Sequence, residues 1–240
     1  GSYQVVDDMN NPDLVLSEWA QIFDAFIQGD VSTTETRLSQ SSFADFYELV
    51  RLTDAGNVYL ILREVLNNNY VDDNGTPGDA SDDVTGSFDY GWGLYVNKIS
   101  PAPANPEGII NLVHPNADYI SAYVGIDAYL TIDAGLFIVN GASRNIAWSV
   151  DVYATSNSLS DPSRNARTPF HECYKKFVDL IGDEWAIQVH SYNAYPAHDG
   201  VPSVQISAER ENYTAHPNAP YRSWDHTDII SLTPDPVVTT

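Results

Sequence analysis

Two apolar runs in this chain end at a histidine. "EGIINLVHP" reaches His114 and stops at Pro115, "WAIQVHSYN" reaches His190, and Asp118 follows His114 at a spacing of four residues. Imidazole and carboxylate are the ligands zinc takes in hydrolytic sites, commonly three from the protein with a fourth position left for water. His114, Asp118 and His190 are therefore the candidate zinc ligands. The His-x-x-x-Asp spacing serves if Asp118 begins a helix that folds back beside His114. Zinc held there would lower the pKa of its water towards ~7 and polarise a carbonyl. A carboxylate is then needed to take the proton from that water. Glu209 and Glu211 in "SVQISAERENY" lie two apart and share a strand face; Glu209, nearer the apolar run, is the candidate base. Arg144 in "VNGASRN" could hold a substrate carboxylate bidentately. Arg164 and Arg167, in "SDPSRNARTPFHE" with Asp161, could extend that contact into an anion-binding wall.

Each residue type also has a plainer use. Strand-end histidines are often ordinary hydrogen-bonded residues. An aspartate such as Asp118 commonly caps a helix, where it satisfies a free backbone N–H. Loop arginines pair with neighbouring acids. Cys173 in "FHECYKKF", the only cysteine, reads as a small buried hydrophobe rather than a reactive thiol. His171, His198, His216 and His226 stand in a helix start or in loop-like stretches. The acidic run "DDNGTPGDASDD", residues 72–83, groups carboxylates around glycine as calcium loops do. It lacks EF-hand spacing and the bidentate glutamate, and also reads as a solvated loop. No Gly-x-Ser-x-Gly elbow or Gly-rich phosphate loop occurs.

The elements that must position these residues follow from periodicity. Residues 13–28 place Leu16, Trp19, Ala20, Phe23, Phe26 and Ile27 at helical spacing. Residues 43–66 read as two strands joined at "DAGN", and 67–91 as a polar surface loop. Beyond it come strands at "GWGLYVNKI" and "EGIINLVHP", then a helix at "DYISAYVGIDAYLTI". "AGLFIVNGAS" is an apolar strand buried on both faces. A helix at "TPFHECYKKFVDLIG", with Pro169 early and Gly182 after its end, precedes strands at "EWAIQVHSY" and "SVQISAERENY". Strand and helix alternate, which predicts an α/β domain with a mixed, mostly parallel central sheet. Ligands bind outside the carboxyl ends of such strands. His114, the Gly141–Ser143–Arg144 stretch, His190 and the two glutamates all fall there.

The bulk numbers narrow the partners. The 240 residues carry 33 acidic against 11 basic side chains, a net charge of −22, so nucleic acid and anionic membrane surfaces are poor partners. No apolar stretch approaches the ~18 residues of a membrane span. Such acidity suits an extracellular or periplasmic setting. Gly1-Ser2 reads as an expression scar. Residues 3–230 read as one hydrolase-like domain, with 3–90 a helix-and-hairpin extension and 91–230 the core. Residues 231–240, Pro/Thr-rich, read as a linker, as in a piece of a longer secreted protein. Fifteen tyrosines and five tryptophans leave a second reading open, a non-catalytic ligand- or carbohydrate-binding module, although rings also simply fill cores.

The succession "GWGLYV … INLVHPNAD … GLFIVNGASRN … SDPSRNARTPFHECYKKF … WAIQVHSYN … VQISAERE" resembles zinc-dependent hydrolases of the carboxypeptidase and N-formylglutamate amidohydrolase type over roughly residues 88–212. That resemblance implies a three-layer α/β/α, phosphorylase/hydrolase-like fold. It also implies zinc on His114, Asp118 and His190, a general base at Glu209, and a substrate carboxylate on Arg144. The departures are His-x-x-x-Asp in place of His-x-x-Glu, a shorter gap to the distant histidine, and Ser143 where related sequences carry histidine. They leave the substrate class open.

Overall fold

The computed structural model describes residues 3–73, 75–81, 83–116, 118, 120–150, 156–182, 185–190, 205–206 and 230–231. The chain divides into two units, Gly1–Ser191 and Tyr192–Thr240. In the second unit the described residues are two short strands, Gln205–Ile206 and Ile230–Ser231, paired antiparallel.

In the first unit, helix α1 (Pro12–Ile27) starts with proline at N1 or N2, where its missing N–H costs nothing. One face buries Val15, Leu16, Trp19, Ile22, Phe23 and Phe26. Its last carbonyls are satisfied by a strand residue: Asn97 Nδ2 donates to Phe26 O at 2.6 Å and Ile27 O at 3.0 Å. Helix α2 (Val31–Gln40) begins at Asp30, whose side chain accepts from Thr33 N at 3.0 Å. Strands β1 (Tyr47–Asp54) and β2 (Asn57–Glu64) form the expected hairpin, turning at Ala55 and Gly56, both at positive φ. The polar stretch beyond is not all loop. β3 (Asn67–Asp72) and β4 (Val84–Ser87) pair within it, and none of their described side chains is buried.

The main sheet adds β5 (Leu94–Ser100), β6 (Asn105–Leu112), β7 (Ala134–Val139) and β10 (Trp185–Gln188); β8 (Trp148–Val150) and β9 (Ser156–Ser158) pair separately. Its six strands run β1-β2-β5-β7-β6-β10. The α/β class and the mixed sheet are as the sequence predicts. The expected parallel majority is not: β1/β2, β2/β5 and β5/β7 are antiparallel, and β7/β6 and β6/β10 parallel. Alternation of elements reports only the crossovers. β6 reaches β7 through α3 (Ser121–Ile132), and α4 (Pro169–Ile181) lies between β7 and β10. The hairpin half has no helical crossover, and burial of β7 on both faces is indifferent to its neighbours' direction.

Adjacent residues of β6 and β7 enter different cores. Ile109, Leu136 and Ile138 join Trp19, Phe23, Phe170, Cys173 and Phe177. Ile110, Leu112 and Phe137 join Tyr129 of α3. In the first core Trp19 stacks on Phe43 at 4.4 Å and meets Tyr47 edge-on at 4.8 Å. Among the described residues no helix is long and apolar enough to cross a membrane.

Candidate metal centre

β6 is where the strand order reverses. The chain leaves it through α3 to reach β7 on one side, and returns after α4 to β10 on the other. A crevice outside the carboxyl ends of the strands is expected at such a point. β6 and β10 run parallel with Asn111 opposite Gln188, and Val189 N still donates to Asn111 O at 3.1 Å. The two chains thus keep step past their ends. His114 and His190 emerge side by side, ring centroids 5.1 Å apart.

Asp118 joins them through a single turn. Its N–H donates to His114 O at 2.9 Å, closing an i→i+4 loop that Pro115 starts. The carboxylate is buried, with Oδ2 at 2.8 Å from His190 Nδ1 and 3.8 Å from His114 Nδ1. It does not cap α3, whose N-cap is Ile120 with no side-chain cap bond. One ligand atom from each of His114, Asp118 and His190 lies within 4.8 Å of the others, so this group could hold a metal ion. His114 Nδ1 is buried and has no hydrogen-bond partner among the described residues. An unpaired buried lone pair is costly; a cation between the three residues would satisfy it.

The other nitrogen of His114 is held from behind. Nε2 lies 2.8 Å from Asp161 Oδ1, and both side chains are buried. The carboxylate accepts, so Nε2 carries the proton and Nδ1 keeps its lone pair for the centre. Ser163 N and Oγ also donate to Asp161 Oδ1, at 2.9 and 2.5 Å. Burial pushes the Asp161 carboxyl up, but the hydrogen bonds from His114 and Ser163 outweigh it and hold it at about 2. His190 has a weaker support, Nε2 to Gln188 Oε1 at 3.1 Å. The sequence places Asp161 in a loop with arginines and gives no sign that it pairs with a histidine 47 residues away.

Arg144 and Arg164 come together. With Asn145, Trp148, Ser158 and Asp161 they line a pocket of about 180 Å³, so Asp161 links that pocket to the histidines. Arg164 Nε is 3.5 Å from Asp161 Oδ2; Arg144 is exposed and has no ion pair among the described residues. A larger pocket, about 390 Å³ and lined by Gln4, Asp8, Met9 and Tyr90 among others, contains no candidate ligand. Arg167 leaves the proposed wall and pairs with Asp7 at 2.5 Å and Asp13 at 2.8 Å. His171 Nε2 donates to Pro162 O at 2.6 Å. Cys173 is fully buried, and burial raises its thiol pKa. In the 72–83 run no three acidic groups converge among the described residues; Asp73 and Asp79 accept from the backbone of Gly75 and Ser81 at 3.0 Å each, as turn residues do. Glu209, Glu211, His198, His216 and His226 lie outside the described residues.

No family model matches the chain, and no curated protein or solved structure matches it either.

Proposed function

We propose that this chain is a zinc-dependent hydrolase of an amide, peptide-like bond. The observation that carries the reading is the buried Nδ1 of His114, which has no hydrogen-bond partner among the described residues and lies beside Asp118 and His190. Two imidazoles and one carboxylate are one of the three-ligand sets of catalytic zinc and also suit Fe(II); zinc is the metal proposed because it fits the hydrolase reading. Bound there, zinc would supply Lewis acidity and a water of lowered pKa. The chain's own residues do the rest. Asp161 keeps His114 in the tautomer that presents Nδ1. Arg144 and Arg164 hold a carboxylate-bearing substrate beside the centre. A general base would be needed to take the proton from that water; the candidate named from the sequence, Glu209, lies outside the described residues. Two further points agree with this reading: the two separate cores on β6 and β7 favour a three-layer α/β/α arrangement, and the order of motifs resembles carboxypeptidases and N-formylglutamate amidohydrolases. The net charge of −22 suits a secreted protein, extracellular or periplasmic.

A second reading, a non-catalytic ligand- or carbohydrate-binding module, is supported by half-exposed Trp148 at the arginine pocket. Elemental analysis separates the two. The hydrolase reading expects about one zinc per chain, lost in His114→Ala and His190→Ala variants that still fold, and turnover of N-acyl amino acids or short peptides. No transition metal after zinc is supplied would overturn it and favour the binding module.

A further inference from the structure

We infer that Asn140 is a positioning residue that sets His114 and Asp161 at the same time. The inference rests on the metal-centre reading for its zinc readout and on geometry alone for the rest. Asn140 follows β7 directly and is 3% exposed. Its N–H donates to Leu112 O at 2.9 Å, carrying the β6–β7 ladder one residue further. Its Nδ2 lies 3.1 Å from Val113 O, 3.0 Å from Ala142 O and 3.1 Å from Ser160 O. Val113 precedes His114, and Ser160 precedes Asp161. Ala142 begins the turn to Arg144. One carboxamide therefore ties together the segment that ends at His114, the segment that leads into Asp161, and its own turn two residues before Arg144.

The chemistry requires asparagine. Its two amide hydrogens serve three buried carbonyl oxygens, one bond being shared. Aspartate at this position would aim a carboxylate at those oxygens. Alanine would leave carbonyls buried and short of a donor. The backbone around it is fixed as well. A Cβ on Gly141 would lie 2.6 Å from Gly93 N and 2.8 Å from Gly91 O, so the turn is pressed against residues 91–93. Ser160 Oγ adds a bond to Ser143 O at 2.9 Å. The 2.8 Å contact between His114 and Asp161 is thus set by a tie that touches neither side chain. Sites of this kind lose function when their support loosens by about 1 Å.

The test compares Asn140→Ala and Asn140→Asp with Asn97→Ala in the full chain. Asn97, on β5, is also a buried asparagine and donates to two carbonyls at the end of α1. Zinc affinity is measured by competition with a chromophoric chelator, well below each variant's melting temperature. The His114 Nε2–H proton is followed by NMR without metal, assigned with His114→Gln. The expected result is a loss of about 10–100-fold in zinc affinity and of the His114 proton signal in the Asn140 variants. Asn97→Ala should lower the melting temperature but keep both. Unchanged affinity and an unchanged His114 signal in a folded Asn140 variant would overturn the inference. If the unaltered chain binds no zinc, the metal reading falls; loss of the His114 signal in the Asn140 variants alone would still support the positioning role.

Discussion

The antiparallel half of the sheet and its parallel half each contain a buried nitrogen with no hydrogen-bond partner among the described residues, and the two differ in kind. Behind β1, β2 and β5 it is Trp19 Nε1, an N–H walled by Phe23, Phe43, Tyr47 and Trp92. At the ends of β6 and β10 it is His114 Nδ1, a lone pair beside a carboxylate and a second imidazole. The first is a defect tolerated for the sake of packing, because stacked rings repay an unmade bond. The second sits beside two potential metal ligands, Asp118 and His190. An unsatisfied atom becomes informative through what surrounds it.

The sharpest way to break that contrast is Trp19→Ala. Losing a fully buried indole should cost about 3–5 kcal/mol of unfolding free energy, read by denaturant titration. Zinc affinity of the folded fraction should stay as it was; a parallel fall in affinity would merge the two halves. Asp161→Asn should do the reverse, lowering zinc affinity about 10–100-fold with a smaller change in the unfolding midpoint than Trp19→Ala.

A third variant asks whether burial of charge alone makes a site. Lys98, nearly buried, donates to Asp133 at 2.5 Å, and that hydrogen bond lowers the Asp133 pKa. A carboxylate whose folded pKa is depressed adds stability above its ordinary value of 3.8 and loses it as pH falls through the folded value. Asp133→Asn should therefore cost about 1–3 kcal/mol near neutral pH, flatten the stability curve below pH ~4, and leave zinc binding alone. The smallest effect concerns the hairpin turn. Ala55 sits at φ 48° and Gly56 at φ 85°, the mirror-image turn that favours Asn-Gly. Ala55→Asn should stabilise by roughly 0.5–1 kcal/mol, visible as a small rise in melting temperature.

Long apolar periodicity made much of the fold legible. α1, α3, α4, the β1–β2 hairpin, β5, β6, β7 and β10 all stand where apolar spacing or apolar runs put them. α2 was not legible, since "VSTTETRLSQ" buries only Thr34 and Leu38 and depends on the Asp30 cap. The convergence of His114, Asp118 and His190 could be foreseen from strand ends, because parallel neighbours in register deliver their next residues to one place. Asp161 and Asn140 could not. Their partners are set by loops crossing between strands, and no local period encodes which loop crosses which.

The turn from His114 to Asp118 also bears on how such a centre would be recognised in other chains. A helix-like turn brings both the third and the fourth following residue back towards the first. A short carboxylate at the fourth position and a longer one at the third can therefore reach the same point. The spacing within that local pair admits only these few solutions. The stretch from Asp118 to His190 carries α3, β7, α4 and their surface loops, and loops accept insertions readily. A comparison of sequences should therefore hold the first gap rigid and let the second vary freely.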